Sequence, residues 1–245
     1  MKQLHVQTIN VSWTKPDQNT YLDSNTIRIW RTKISAFIPN LVHLQALLEA
    51  EEIKKIQRYQ QEKDRQARII SRAVLRILLG RYLSVDPVEI RFTLDHNKKL
   101  VLQHLASENL CFNVSHSGGW ILIAISKNPV GVDVEQINTS FNYQNLLDFS
   151  FSSIEKNCIQ TAAIPINSFY KLWTRKEALL KATGKGLVDD LTQIPSLDGI
   201  HQSPYRVIGS KTNWQITSFE IDENHIGSAA FMPVKTAVQF VNFEL

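Results

Sequence analysis

The 245-residue chain is predicted to adopt an α+β fold. Three observations predict it: strand-like alternation near the N-terminus and again past the middle, two strongly amphipathic helical segments, and helix and strand segments recurring on both sides of Pro129. Pro129 therefore marks the expected junction, with an N-terminal half over 1–128 and a C-terminal half over 129–245.

Leu4, Val6 and Thr8 share one face of a first strand, and Ile27 and Ile29 oppose Arg28 and Trp30 in a second. Pro39 and Asn40 introduce a helical stretch, followed by a charged one from Glu49 to Asp64. Asp64 to Leu83 has the strongest helical period, with Ile70, Val74, Ile77 and Leu78 on one apolar face. Arg68, Arg72 and Arg76 form a cationic stripe on the same helix, bordered by Leu75 and Leu79. Such a stripe is either edged with salt bridges or turned in part toward an anion.

Two further strands are expected around Phe112–Val114 and Ile121–Ile125. The second is apolar at nearly every position, as a strand covered on both faces would be. After the Asn128-Pro129 turn, Val130, Val132 and Val134 point inward while Gly131, Asp133 and Glu135 take the other face. A second strong helix is expected from about Ser168 to Thr183, stopped by Gly184 and Gly186. From Trp214 onward the pattern is strands with short loops.

Composition narrows the class. Hydrophobic residues at 43% and charged residues at 20% are those of a globular protein in water. No apolar run reaches the roughly 18–20 residues of a membrane span, and the N-terminus lacks the apolar stretch of a signal peptide, so no membrane partner is expected. Cys111 and Cys158 match no metal spacing, and the cytoplasm is the expected compartment. The net charge of +4 favours anionic partners, but no basic block argues for nucleic acid.

Three constellations carry chemistry. Asp133 and Glu135 lie at i and i+2 of a strand, about 6.5–7 Å apart on one side. Carboxylates so placed repel unless a cation lies between them, one is protonated, or the strand is an exposed edge. The all-oxygen donor set suits a hard divalent cation, and magnesium typically combines one or two carboxylates with substrate phosphates. Asn113-Val114-Ser115-His116-Ser117-Gly118-Gly119 reads as a strand ending in a polar turn whose serine and imidazole can donate to phosphate; a plain hairpin is the alternative. Trp173-Thr174-Arg175-Lys176-Glu177-Ala178 continues to Lys181, with Glu177 and Lys181 one turn apart, as a surface pair or as part of a cleft.

Taken in order, these motifs resemble the surfactin-synthetase type of 4′-phosphopantetheinyl transferase. The resemblance is dense from Phe112 to Leu187, including Gly184-Lys185-Gly186-Leu187, and looser over Asp64–Leu83 with its Arg72 and Leu75-Arg76. It implies a pseudo-twofold arrangement of two similar α/β halves, active as a monomer, with the site in the cleft between them. It also implies transfer of the 4′-phosphopantetheine group of coenzyme A to a serine of an apo acyl or peptidyl carrier protein, with release of 3′,5′-ADP. Asp133, Glu135 and Glu177 would hold Mg²⁺, with Asp133 and Glu177 as candidate bases. Ser115 and His116 would bind phosphate, Lys181 would reach the pyrophosphate, and Lys55, Arg68 and Lys99 would lie at the nucleotide end.

Three departures fall at that nucleotide end. Lys98-Lys99-Leu100 replaces a Gly-Lys-Pro element, Ala67 stands where many members have arginine, and Glu52 replaces a basic residue of some relatives. Two rival functions follow from the residues: a basic nucleic-acid-binding module using Arg68, Arg72 and Arg76, or a metal-dependent phosphodiesterase acting on coenzyme A. Asp133 and Glu135 speak against the first, because carboxylates in a groove repel nucleic-acid phosphate.

Overall fold

A computed structural model describes residues 2–16, 22–103, 110–186, 188, 190–233 and 238–244. The chain opens with β1 (Gln3–Thr8) and β2 (Ile27–Lys33), then helices α1 (Leu41–Gln45), α2 (Ala50–Ile56) and α3 (Glu62–Leu83). Two hairpins follow, β3 (Phe92–Leu94) with β4 (Leu100–Leu102) and β5 (Cys111–Ser117) with β6 (Trp120–Ser126). Beyond Pro129 come β7 (Val130–Gln136), α4 (Gln144–Ser150), α5 (Ser153–Thr161) and α6 (Pro165–Thr183). The remaining elements are β8 (Gly199–Gln202), α7 (Tyr205–Ile208), β9 (Trp214–Asp222), β10 (His225–Phe231) and β11 (Val238–Asn242).

The same unit is built twice. In the first half β2, α3 and the β5–β6 hairpin give an antiparallel sheet in the order β2-β6-β5. In the second, β7, α6 and the β9–β10 hairpin give β7-β10-β9 with the same directions. This is the pseudo-twofold α+β arrangement. The flanking strands are exchanged: β1 pairs in parallel with β9, with β8 antiparallel beyond it at the sheet edge, and β11 pairs in parallel with β2.

Four layers stack as helix, sheet, sheet, helix. Ile70, Val74 and Leu78 of α3 pack on Ile121, Ile123 and Ile125 of β6, whose other face gives Leu122 and Ala124 to the core between the sheets. Val130, Val132 and Val134 enter that middle core, as their alternation predicted. Gly131 faces α6 so closely that a Cβ would lie 2.2 Å from the Ala178 carbonyl oxygen. Only glycine lets β7 and α6 approach this far. Helix α6 starts at Pro165, three residues before the expected Ser168, because proline fits the first helical turn. It ends as predicted at Gly184, with φ +68°.

One boundary is corrected. The strand at Phe112–Val114 does not end in a polar turn at Ser115. It continues to Ser117, and only Gly118-Gly119 forms the turn.

Candidate active site

The reason for that longer strand defines the site. β5 and β7 are edge strands of different sheets, lying side by side. Asn113, Ser115 and Ser117, alternate residues of β5, accept from alternate backbone N–H groups of β7: Val132 at 2.9 Å, Val134 at 3.4 Å and Gln136 at 3.1 Å. Side chains thus satisfy an edge that backbone pairing leaves open. The two hydroxyls also donate to the carboxylates between those N–H groups, Ser115 to Asp133 Oδ1 at 2.9 Å and Ser117 to Glu135 Oε2 at 2.9 Å.

Helix α6 supplies the other wall. Lys181 Nζ donates to Asp133 Oδ1 at 2.6 Å and to Ser115 Oγ at 3.0 Å. Burial pushes the carboxyl groups of Asp133, Glu135 and Glu177 up from their ordinary values, Glu135 to about 7. Asp133 adds to the rise at Glu135 and Glu177, while Lys181 opposes it at all three. Three acids competing for one cation are the electrostatic signature of the site.

Among the described residues no group of three His, Cys, Asp or Glu side chains is arranged to hold a metal ion. The donor chemistry nevertheless fits a hard cation: Asp133 Oδ2 is buried without a hydrogen-bond partner, and its neighbours Glu135 and Glu177 are oxygen donors in mutual repulsion.

A cleft of about 510 Å³ opens beside this cluster, lined by Lys55, Tyr59, Arg68, Arg72, Lys99 and His116 among others. His116 joins the two places. Burial holds its imidazole below the usual range, and Arg68 and Lys181 push it the same way. The Arg68 guanidinium lies 4.1 Å from the Tyr59 ring centroid. Lys99 lines the cleft with its stem but spends its ammonium on the end of α6, donating to the Lys181 carbonyl at 2.7 Å.

Each expected site residue is therefore accounted for. Asp133, Glu135, Glu177, Lys181 and Ser115 form one cluster, and Lys55, Arg68, Lys99 and His116 line the adjoining cleft. Leu187 of the Gly-Lys-Gly-Leu element lies outside the described residues.

The arginine stripe divides. Arg76 is wholly buried, donating to Glu52 Oε2 at 2.6 Å and to the Ile90 carbonyl, while Arg72 Nε lies 3.0 Å from Glu52 Oε1. It is no exposed basic face for nucleic acid. Sequence reasoning missed Ser117 and Asn113 as seam residues. Their signal was present in the i, i+2, i+4 spacing of Asn113, Ser115 and Ser117, which puts all three on one strand face.

Four of the five residues of the Trp-Thr-Arg-Lys-Glu run are structural. Thr174 Oγ1 and Ser228 Oγ are 2.8 Å apart. Arg175 donates to Ser218, the Ser196 carbonyl, Thr8 and Asp198, and Lys176 donates to Glu155 at 2.8 Å. Trp173 stacks on Phe169 at 6.0 Å. These contacts fix α6 so that Glu177 and Lys181 face β7.

Comparisons with known proteins agree with this geometry. The 4′-phosphopantetheinyl transferase superfamily profile matches residues 129–230, and the profile for the N-terminal part of a 4′-phosphopantetheinyl transferase matches residues 28–128. A Synechocystis sp. protein provisionally named a 4′-phosphopantetheinyl transferase is 34% identical over 74% of this chain and 75% of its own length. The 4′-phosphopantetheinyl transferase HetI of Nostoc sp. is 29% identical, covering 72% and 76%. The 4′-phosphopantetheinyl transferase Sfp of Bacillus subtilis (strain 168) is 24% identical, covering 74% and 80%. With both halves matched and a 34% identical relative covered over three quarters of its length, the chain belongs to the 4′-phosphopantetheinyl transferase superfamily.

Proposed function

We propose that this transferase moves the 4′-phosphopantetheine group of coenzyme A onto a serine hydroxyl of an apo acyl or peptidyl carrier protein, with Mg²⁺ as the metal. The observation that carries the reading is the juxtaposition of Asp133, Glu135, Glu177 and Lys181 with a cleft whose other cations are Lys55, Arg68 and Arg72. Lys55, Arg68 and Lys99 would flank the nucleotide end. His116 and Ser115 would meet the phosphates, and Lys181 would meet the pyrophosphate.

Asp133, Glu135 and Glu177 would hold Mg²⁺, which supplies charge neutralisation at the phosphoryl oxygens. Phosphoryl transfer asks the protein mainly for positioning and electrostatics. The serine oxygen forms a bond to the β-phosphorus, the bond from that phosphorus to the bridging oxygen breaks, and 3′,5′-ADP leaves with the electron pair. Glu177 takes the serine proton. Its raised pKa makes it a stronger base than an exposed glutamate, and α6 presents it opposite the β7 carboxylates. Asp133 is a poorer candidate because Lys181 and Ser115 already occupy its Oδ1.

The test is incubation with coenzyme A, Mg²⁺ and a panel of apo-carriers, read by mass spectrometry. A carrier gaining one phosphopantetheine group is expected. Cleavage of coenzyme A at the same rate with and without carrier would overturn the reading in favour of a phosphodiesterase.

A further inference from the structure

The turn between β9 and β10, Asp222 to His225, grips both strands of the seam where β5 ends. On the β5 side, Asp222 Oδ2 accepts from Trp120 Nε1 at 2.7 Å, across the gap between the two sheets. Arg31 and Lys33 cover the Trp120 ring, 4.9 and 5.1 Å from its centroid. Asp222 Oδ1 lies 2.8 Å from His225 Nδ1. The buried His225 imidazole then lies against the Gly118 backbone, so close that a Cβ on Gly118 would be 2.5 Å from Nε2. On the β7 side, the Asn224 carbonyl of the same turn accepts from the Ile137 N–H at 2.8 Å, and His225 pairs with Gln136.

The last rung of the seam lies between these two grips. Ser117 pairs with Trp120 across the Gly118-Gly119 turn, and its hydroxyl donates to Glu135 Oε2 while accepting from the Gln136 N–H. The two acids of β7 are therefore held differently. Asp133 accepts from Lys181 as well as from Ser115, whereas Glu135 is aimed by Ser117. The position of Ser117 in turn depends on the hairpin turn that follows it. Packing alone does not call for an imidazole at 225, because its Nε2 is buried without a hydrogen-bond partner and an apolar side chain would avoid that cost. The use of the ring is at Nδ1, where it holds Asp222 toward Trp120.

We propose that Asp222, His225 and Trp120 form a positioning clamp that fixes Ser117 and, through it, the aim of the Glu135 carboxylate at the divalent cation. The inference rests on the proposed function for the metal and adds residues that touch neither metal nor substrate. Outer partners of this kind orient the ligand, and their loss weakens the metal site without removing a donor from it.

The experiment is titration of Mn²⁺, followed by electron paramagnetic resonance as a stand-in for Mg²⁺, into metal-free protein in the presence of coenzyme A. The variants are His225→Ala, Trp120→Phe, Ser117→Ala and the double His225→Ala/Ser117→Ala, with KM for Mg²⁺ and kcat measured in carrier modification and Tm measured in EDTA. Each single variant should weaken Mn²⁺ binding by about 10–100-fold and raise KM for Mg²⁺ to match, while kcat at saturating Mg²⁺ stays near that of the wild type. The double variant should lose no more than Ser117→Ala, because both changes act on one bond to Glu135. A lowered Tm with wild-type Mn²⁺ affinity in His225→Ala and Trp120→Phe makes the clamp purely structural and overturns the proposal; should His225→Ala fail to fold, Trp120→Phe decides alone. Additive losses in the double variant overturn the route through Ser117. Wild-type protein that neither binds Mn²⁺ beside coenzyme A nor modifies a carrier overturns the functional reading itself, a result separate from variants that match an active wild type.

Discussion

Replacing Lys176 by methionine removes a buried charge of similar length from the middle of the Trp-Thr-Arg-Lys-Glu run. Lys176 is 1% exposed, and its partner Glu155 is 3% exposed at the side chain. Without Lys176, Glu155 keeps the backbone N–H groups of Ser152 and Ser196 and the Ser196 hydroxyl, and it stays in the first turn of α5, where the helix dipole favours an anion. The Leu191 carbonyl, which accepts from Lys176 at 2.9 Å, loses that partner as well. Breaking a buried pair costs about 3–5 kcal/mol, and the donors left on Glu155 place this case at the lower end. At about 2–4 °C per kcal/mol for a domain of this size, Tm should fall by about 6–12 °C. The double variant Glu155→Gln/Lys176→Met should regain at least half of that loss, because no charge is then left buried alone. Thermal unfolding followed by circular dichroism gives the cycle, and turnover is normalised to folded protein. A Lys176→Met variant with wild-type Tm and abolished kcat would refute the structural assignment and make Lys176 a catalytic group.

Glu177→Gln should lower kcat by about 10²–10⁴, while coenzyme A binding measured by calorimetry weakens far less; equal losses that excess Mg²⁺ restores would make Glu177 a metal ligand only. Glu135 titrates near 7 in the folded protein against 4.5 as its ordinary value. The folded state therefore holds a proton that the unfolded chain has released across that window, and the stability of metal-free protein falls as pH rises through it. Glu135→Gln should raise Tm in EDTA at pH 8, by an amount equivalent to about 1–2 kcal/mol after allowance for partial exposure, and have almost no effect at about pH 4, below both values; equal Tm values for both proteins at pH 8 count against the buried-acid account. Gly131→Ala puts a Cβ 2.2 Å from the Ala178 carbonyl oxygen and 2.3 Å from the Ala182 nitrogen. Forcing α6 off β7 should cost about 1–3 kcal/mol and lower activity in the same protein, whereas full activity at wild-type Tm would contradict the close packing.

Local periodicity carried much of this site. The i, i+2 spacing of Asp133 and Glu135 and the i, i+4 spacing of Glu177 and Lys181 each fixed a face, and the valines between the acids fixed which face looked outward. The middle core and the doubly covered β6 were legible for the same reason. What local pattern could not show was partner choice at long range. Nothing in Ser115 or Ser117 alone says that a strand of the other sheet needs its N–H groups satisfied, so the bonds of the Ser115 hydroxyl to Asp133 and the Val134 N–H were not legible. Glu52 read only as a departure at the nucleotide end because its two arginine partners lie a helix away, at Arg72 and Arg76. The bond from the Lys99 ammonium to a helix end contributed by the opposite half was hidden for the same reason.

The exchanged strands impose an order on synthesis. β1 leaves the ribosome well ahead of its partner: Leu4 of β1 waits for Trp214 of β9, 210 residues later. At about 5–20 residues per second that wait is roughly 10–40 s. Meanwhile β2 leaves its outer edge unfilled until β11 emerges to pair with it. Neither half can close its sheet while the other is unfinished, so the nascent chain carries two open edges until β9 and β11 have emerged. Unpaired edges of this kind invite pairing with other chains. Crowded translation, more than the equilibrium stability of the finished protein, is therefore where a destabilised variant of this enzyme should fail first.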